Sequence, residues 1–274
     1  MQAWPAEFID SVVTSPPYYQ QRDYHGKAKQ VGQEESPPAY VDRLKNIFAQ
    51  VRRCLKSTGS LWLVVGDKYD KDGTQLGLPW RVALALVDDG WILRSDCIWH
   101  KPNAMPSSTK TRPTTDHEYI FFLTKSADYF YNADAIREPH VTFSAASKMR
   151  GGRNHFGKRG GTPEAGKNGG DSNLHDGRWD QAFHPLGRNK RTVWSIPLSK
   201  FRGSHFAVFP ESLVRTCLLA SCPSQGLVLD PFLGSGTTAV VAQQLGHSYL
   251  GIDVAAEYCE IARERLQPAQ APHL

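Results

Sequence analysis

Two short stretches of this 274-residue chain carry residue types whose spacing points to chemistry. Near the start, "FIDSVV" runs straight into "TSPPY", residues 14–18. Neither Pro16 nor Pro17 can donate a backbone hydrogen bond, and both fix φ near the same value. Ser15 is pushed toward an extended conformation by the proline that follows it. The stretch therefore predicts a rigid, acceptor-rich corner at the tip of a strand, with the Tyr18 ring beside it. The second stretch, "VLDPFLGSGTT" at 228–238, reads as strand, carboxylate, glycine loop and helix. Gly234 and Gly236 let the backbone turn tightly and approach a ligand, and the helix behind them presents free N–H groups.

Asp253 follows Asp230 by twenty-three residues, at the tip of the next apolar run. That offset suits a carboxylate reaching ribose hydroxyls in a βαβ nucleoside site. A P-loop is excluded because no lysine follows the second glycine, and a dinucleotide loop would carry a third glycine. An acidic Asp230 ahead of the loop favours a cationic or zwitterionic ligand over a pyrophosphate. On spacing alone, a nucleoside cofactor and a structural strand-to-helix turn both remain open. Asp67, at the tip of another apolar run, reads equally as a ligand contact or a turn aspartate.

The elements that must position these residues alternate. "FIDSVV" predicts a strand. Ser36 as N-cap and Pro37 at the first turn open a helix with Tyr40, Leu44, Ile47, Phe48, Val51 and Leu55 on one face, closed by Thr58-Gly59. "SLWLVVGD" is a buried strand, "LPWRVALALVDDG" a helix, and "WILRSDCIWHKPN", "HEYIFFLTKS" and "DYFYN" are strands. After residue 205 the pattern resumes as helix, "LVLD" strand, glycine loop with helix, "SYLGID" strand and a final helix. Strands alternating with helices indicate an α/β protein with a mostly parallel sheet.

Between 140 and 204 the character changes to glycine-rich, aperiodic sequence with few aliphatics. A structureless loop of that length in a compact domain is uncommon and is usually functional or disordered. From Lys148 to Arg202 there are twelve Lys/Arg and four Asp/Glu, so the remainder holds twenty basic and twenty-three acidic residues. The net charge of +5 is thus concentrated in one segment, interleaved with His155, Phe156, Trp179 and Phe183. This predicts a nucleic-acid-binding segment rather than a neutral floppy insertion. The organisation is then residues 1–139, an inserted region 140–204, and 205–274.

Five scattered cysteines without a C-x-x-C pair argue against a disulfide framework and a zinc site, and fit a reducing cytoplasm. No apolar run approaches the length of a membrane span, and "MQAWPAEFID" lacks the features of a signal peptide.

Taken together, "TSPPY" and "DPFLGSGTT" resemble the catalytic and cofactor motifs of the DNA amino-methyltransferases that use S-adenosylmethionine. Their order, with the catalytic motif first, the basic segment in the middle and the cofactor motif last, resembles the β group, a circular permutation of the Rossmann-like methyltransferase fold. The likeness extends to "YVDRLKNIFAQVRRCLKSTGSLWLVVGD", "IWHKPN" and "HFAVFPESL", leaving only the middle segment without a family pattern. It implies that Asp230, Pro231, Phe232, Gly234, Ser235, Gly236, Thr237 and Thr238 hold the methionine end of the cofactor, with Asp253 on its ribose. His205 and Phe206 join them through the motif preceding the glycine loop. No metal is implied.

The resemblance also gives the corner a task. An exocyclic amine is a poor nucleophile because its lone pair is delocalised into the ring. The Ser15 hydroxyl oxygen and the Pro16 carbonyl would hold both N–H groups and turn the lone pair toward the methyl sulfonium, by positioning and electrostatic stabilisation. Pro16 and Pro17 keep these acceptors rigid, and Tyr18 offers a ring for the base to stack on. A base inside a duplex cannot reach such a corner, so flipping is implied. No covalent attack is needed, and the chain has no Pro-Cys dipeptide. In the family, serine before the two prolines accompanies cytosine N4, while aspartate or asparagine accompanies adenine N6. Cytosine is therefore expected and adenine is the alternative.

The basic segment becomes the expected target-recognition region, with Arg150, Arg153, Lys158, Arg159, Arg178, Arg188, Lys190 and Arg191 as DNA contacts. Expected partners are double-stranded DNA and, in a restriction–modification setting, a cognate endonuclease, for a cytoplasmic monomer or homodimer. A protein-amide methyltransferase and an inactive DNA-binding relative are the rival readings, disfavoured by the serine, the motif order and the intact motifs. One departure stands out: family members of this order carry a further strand and a Gly-Asp turn ahead of the catalytic strand, and only about seven residues precede it here. The expectation is a sheet one strand short, a substitute element, or a start lying upstream.

Overall fold

The structure is a computed structural model and describes residues 1–21, 30–140, 184–198 and 209–267. The chain divides into two compact units, one of residues 1–132 with 191–274 and one of residues 133–190.

The larger unit is built on a sheet of seven strands among the described residues. In chain order the strands are β1 (Ile9–Thr14), β2 (Leu55–Val65), β3 (Ile92–His100), β4 (His117–Thr124), β5 (Val193–Ser195), β6 (Leu227–Asp230) and β7 (Ser248–Gly251). Their spatial order is β5-β3-β4-β2-β1-β6-β7. Only β4 runs against its neighbours; the other pairings are parallel. The expected mostly parallel α/β sheet is thus present. β5 and β7 are its outer strands among the described residues.

Among the described residues five helices accompany the sheet: α1 (Pro37–Cys54), α2 (Leu78–Asp88), α3 (Glu211–Ser221), α4 (Thr237–Gln244) and α5 (Ala256–Leu266). α1 starts as its sequence predicts: the Ser36 hydroxyl accepts from Ala39 N–H, and Tyr40, Leu44, Phe48 and Val51 are buried. It ends earlier than the Thr58-Gly59 signal suggests. Leu55 is already extended and pairs with Ile9, so β2 absorbs the residues expected to close the helix. Gly59 serves there by close packing, since a Cβ would lie 2.6 Å from the Leu55 side chain. The core runs from Tyr40, Leu44 and Phe48 through Leu61, Leu63 and Val65 to Phe121 and Leu123. "DYFYN" forms no strand: Phe130 donates to the Thr58 carbonyl and Asn132 to that of Ala220. Val193–Ser195, within the segment read as an insert, is the strand that extends the sheet beyond β3.

The smaller unit is described at residues 133–140 and 184–190. A single 3-10 turn, Asp134–Ile136, precedes Glu138, which forms an antiparallel bridge with Arg188. The Glu138 carboxylate takes Arg188 Nη2 and Lys190 Nζ, both at 3.2 Å.

Candidate active site

β1 lies between β2 and β6 and runs parallel to both, with Val12 opposite Leu229. Their carboxyl ends therefore leave the sheet side by side, and the proline corner and the glycine loop emerge from one edge. Open parallel sheets bind ligands at this edge, outside the strand ends. A cavity of about 500 Å³ occupies it. Ser15, Pro16, Pro17, Tyr18, Trp99, Lys101 and Glu118 line one part; Pro231, Phe232, Leu233, Gly234, Ser235, Thr237 and Asp253 line another.

The corner is held from several directions. Tyr40 of α1 donates to the Pro17 carbonyl at 3.0 Å. Gly66, just past β2, permits the close approach of Tyr18, because a Cβ there would lie 2.7 Å from the ring. The Ser15 hydroxyl donates to Tyr18 Oη at 3.2 Å, and Tyr18 donates to Glu118 Oε2 at 2.6 Å. Lys101 Nζ pairs with the other Glu118 oxygen and sits 4.5 Å from the Trp99 ring centre. Burial, and then the adjoining Glu118 carboxylate, hold the Tyr18 phenol well above its usual range, so it keeps its proton.

The glycine loop is fixed from beneath. Asp230 is 1% exposed. It accepts from Thr14 Oγ1 at 2.6 Å, Thr238 Oγ1 at 2.8 Å and the Phe232 N–H at 3.0 Å. Burial pushes its carboxyl up to about 6, with those three donors pulling the other way. Gly236, at φ 85°, caps α4, and a Cβ there would stand 2.7 Å from the Ala262 Cβ. Arg265 of α5 donates to the Ser235 carbonyl at 2.8 Å and to its hydroxyl at 3.0 Å. Asp253 takes the Gly234 N–H on one oxygen and the Ala255 N–H on the other, at 2.9 and 2.8 Å.

This geometry sorts the residues named from sequence. The corner residues, Pro231, Phe232, Gly234, Ser235, Thr237 and Asp253 surround one cavity. Asp230, Gly236 and Thr238 do not line it. Their carboxylate, close-packed backbone and hydroxyl brace the loop beneath it. Asp67 proves to be a turn residue: it accepts from the N–H groups of Lys68, Gly77 and Leu78 and so fixes the start of α2. His205 and Phe206 lie outside the described residues, as do Arg150, Arg153, Lys158, Arg159 and Arg178. Phe209, from the same motif, lines the cavity. Arg188 and Lys190 share Glu138, and Arg191 lies exposed in the larger unit.

Glu118, Lys101, Trp99 and Arg265 were not singled out by sequence. Lys101 and Trp99 lie within "IWHKPN", a family-like motif whose task sequence did not define. None of the five cysteines lines the cavity, and burial pushes the Cys222 thiol up to about 12. No cluster that could hold a metal is present among the described residues.

The cavity suits a nucleoside sulfonium. The carboxylate of Asp253 lines it, and Pro231, Phe232, Leu233, Ile252 and Val254 provide apolar walls. The first turn of α4 has no side-chain cap, and Thr237 at its start lines the cavity. A side chain at Gly234 would approach only the Phe232 carbonyl, at 4.0 Å, so the loop leaves open space there.

Comparison with known proteins agrees with this arrangement. Residues 9–264 match the DNA methylase family of N6/N4 methyltransferases. The type II methyltransferase M.SmaI of Serratia marcescens is 38% identical over 294 aligned residues, covering 97% of this chain and 87% of the relative. M.Cfr9I of Citrobacter freundii, also a type II methyltransferase, is 38% identical, covering 96% and 83%. Among solved structures, the cytosine-N4-specific PvuII DNA methyltransferase aligns with a TM-score of 0.69 at 20% identity, over 98% of this chain and 83% of that one. The Thermus thermophilus protein TTHA0409, solved with S-adenosyl-L-methionine, aligns with a TM-score of 0.59 at 24% identity, over 96% and 87%. These two likenesses establish the common fold.

Proposed function

The chain belongs to the N6/N4 DNA methylase family and is a DNA methyltransferase, and we propose that it methylates the exocyclic N4 of a cytosine flipped out of double-stranded DNA, using S-adenosylmethionine. One observation carries this reading: the Ser15-Pro16 acceptors and the glycine loop open into one cavity from adjacent parallel strand ends.

Asp253, Ser235, Thr237 and the first-turn N–H groups of α4 would hold the cofactor, with Asp230, Gly236 and Thr238 bracing them from below. S-adenosylmethionine supplies an electrophilic methyl group on a sulfonium. Ser15 Oγ and the Pro16 carbonyl hold the amine N–H groups and orient the nitrogen lone pair, and the fixed prolines remove the need for reorganisation. Tyr18 presents its ring to the base and its hydroxyl to Ser15. The cavity-lining side chains include no cysteine, in keeping with direct transfer to nitrogen. Serine at position 15 favours cytosine over adenine.

The basic segment and Arg188, Lys190 and Arg191 read the target and its phosphates in this proposal. The type II names of the relatives support a place in restriction–modification beside a cognate endonuclease, and the motif order supports the circularly permuted arrangement. No helix among the described residues is long and apolar enough to cross a membrane.

The test is incubation of the protein with methyl-labelled S-adenosylmethionine and mixed-sequence duplex DNA, followed by digestion to nucleosides. N4-methylcytosine is expected. N6-methyladenine, or no labelled nucleoside, overturns the proposal.

A further inference from the structure

We infer that Glu118 sets the direction of the Ser15 hydroxyl through Tyr18, and so commits Ser15 to accepting a hydrogen bond from the target amine. The inference rests on the reading of Ser15 as the residue that holds that amine.

A carboxylate only accepts hydrogen bonds, and a phenol has a single proton to give. One Glu118 oxygen is engaged by Lys101; the other receives Tyr18 at 2.6 Å, the shorter of the two hydrogen bonds made by the phenol. With its proton so placed, Tyr18 offers Ser15 only a lone pair, and Ser15 turns its own proton toward it across 3.2 Å. Toward the cavity Ser15 then presents oxygen lone pairs alone. An exocyclic amine presents N–H, and the two match. Were the chain reversed, the Ser15 proton would face an N–H donor.

Sheet register supplies this arrangement. Glu118 pairs with Trp99 across β3 and β4, which brings it near Lys101 two residues on, and Tyr119 pairs with Val65 beside the Gly66 opening. Glu118 is thus a positioning residue, separated from Tyr18 by a hundred residues of sequence.

Glu118→Gln makes the inference testable because Lys101 dictates the amide's orientation. The ammonium of Lys101 attracts the amide oxygen, which leaves the NH₂ group facing Tyr18. Tyr18 must then donate to Ser15, and the serine proton swings into the cavity. Single-turnover methyl transfer should fall by about 30-fold or more, with cofactor affinity unchanged, a smaller loss than the roughly 10²–10³-fold expected when a preorganised polar group is removed outright. Adding Tyr18→Phe removes the reversed donor, frees the Ser15 rotor and should restore transfer about fivefold relative to Glu118→Gln alone. A merely structural role predicts that the second substitution leaves the loss unchanged or deepens it, and that result overturns the inference. Transfer by Glu118→Gln within about threefold of wild type also overturns it.

If Glu118→Gln does not melt cooperatively, Glu118→Ala supplied with formate replaces it. Formate should restore transfer and formamide should not; equal rescue by both, or rescue by neither, overturns the inference. Wild-type product analysed in the same experiment separates the two levels. Absence of N4-methylcytosine there defeats the reading of the corner, whereas its presence with insensitive Glu118 variants defeats this inference alone.

Discussion

The proline corner and the glycine loop leave neighbouring strands by opposite strategies. Residues 15–18 turn on two prolines, and side chains from distant elements control their polar atoms: Tyr40 on the Pro17 carbonyl, and Glu118 on Tyr18. The loop turns on glycines in left-handed conformation and is controlled from beneath by a buried carboxylate. In the proposed reading, one presents acceptors to a nucleophile and the other presents backbone donors and open space to a cofactor. The difference teaches that damage to the loop should strike binding and stability together, whereas damage to the corner should strike transfer alone.

The sharpest way to break the loop is Gly236→Val. A branched side chain would have to adopt φ near 85° with its Cβ 2.7 Å from that of Ala262. Overpacking of this kind costs about 1–3 kcal/mol and the left-handed backbone about 1–2 more. Calorimetry should show cofactor binding abolished, with a lower melting temperature.

Asp230→Asn tests the brace through pH. The carboxyl lies at about 6 in the folded protein against an ordinary value of 3.8, so between those values the folded chain retains a proton that the unfolded chain releases. Its contribution to stability is therefore fully present below about pH 4 and is lost as pH rises through about 6. The shift corresponds to about 3 kcal/mol. Denaturant unfolding of wild type should weaken by roughly that much, relative to Asp230→Asn, between pH 4 and pH 7. A pH-independent difference contradicts the buried position.

Gly66→Ala probes the corner indirectly, because a Cβ would lie 2.7 Å from the Tyr18 ring. Displacement of Tyr18 should slow single-turnover transfer by about tenfold with unchanged cofactor affinity, in line with the cost of small misplacements. The smallest effect is expected in the separate unit. Replacing Arg188 and Lys190 with Gln should weaken DNA binding and reduce the slope of its salt dependence by about one for each phosphate that is no longer neutralised. Cofactor affinity should not change.

Legibility in sequence followed the range of the interactions. The corner and glycine loop could be read because prolines, glycines and apolar runs act within a few residues. The Glu118–Tyr18 hydrogen bond could not, because it depends on the antiparallel register of β4 against β2 and β3. Asp230 was recognised, but not the direction of its carboxylate, which Thr14 and Thr238 fix from 216 and 8 residues away. At Leu55, pairing with Ile9 overrode a local helix-stop signal. The short strand Val193–Ser195 was obscured by the glycine-rich run before it, and only its partner β3 defines it.

The division of labour is tested most directly by Ser15→Ala, measured side by side for cofactor affinity by calorimetry and for single-turnover transfer to duplex DNA. The expected result is an unchanged dissociation constant with transfer reduced by about 10²–10³-fold, the usual consequence of removing one preorganised polar group. Transfer within about tenfold of wild type, or a weakening of cofactor binding of comparable size, would contradict the account.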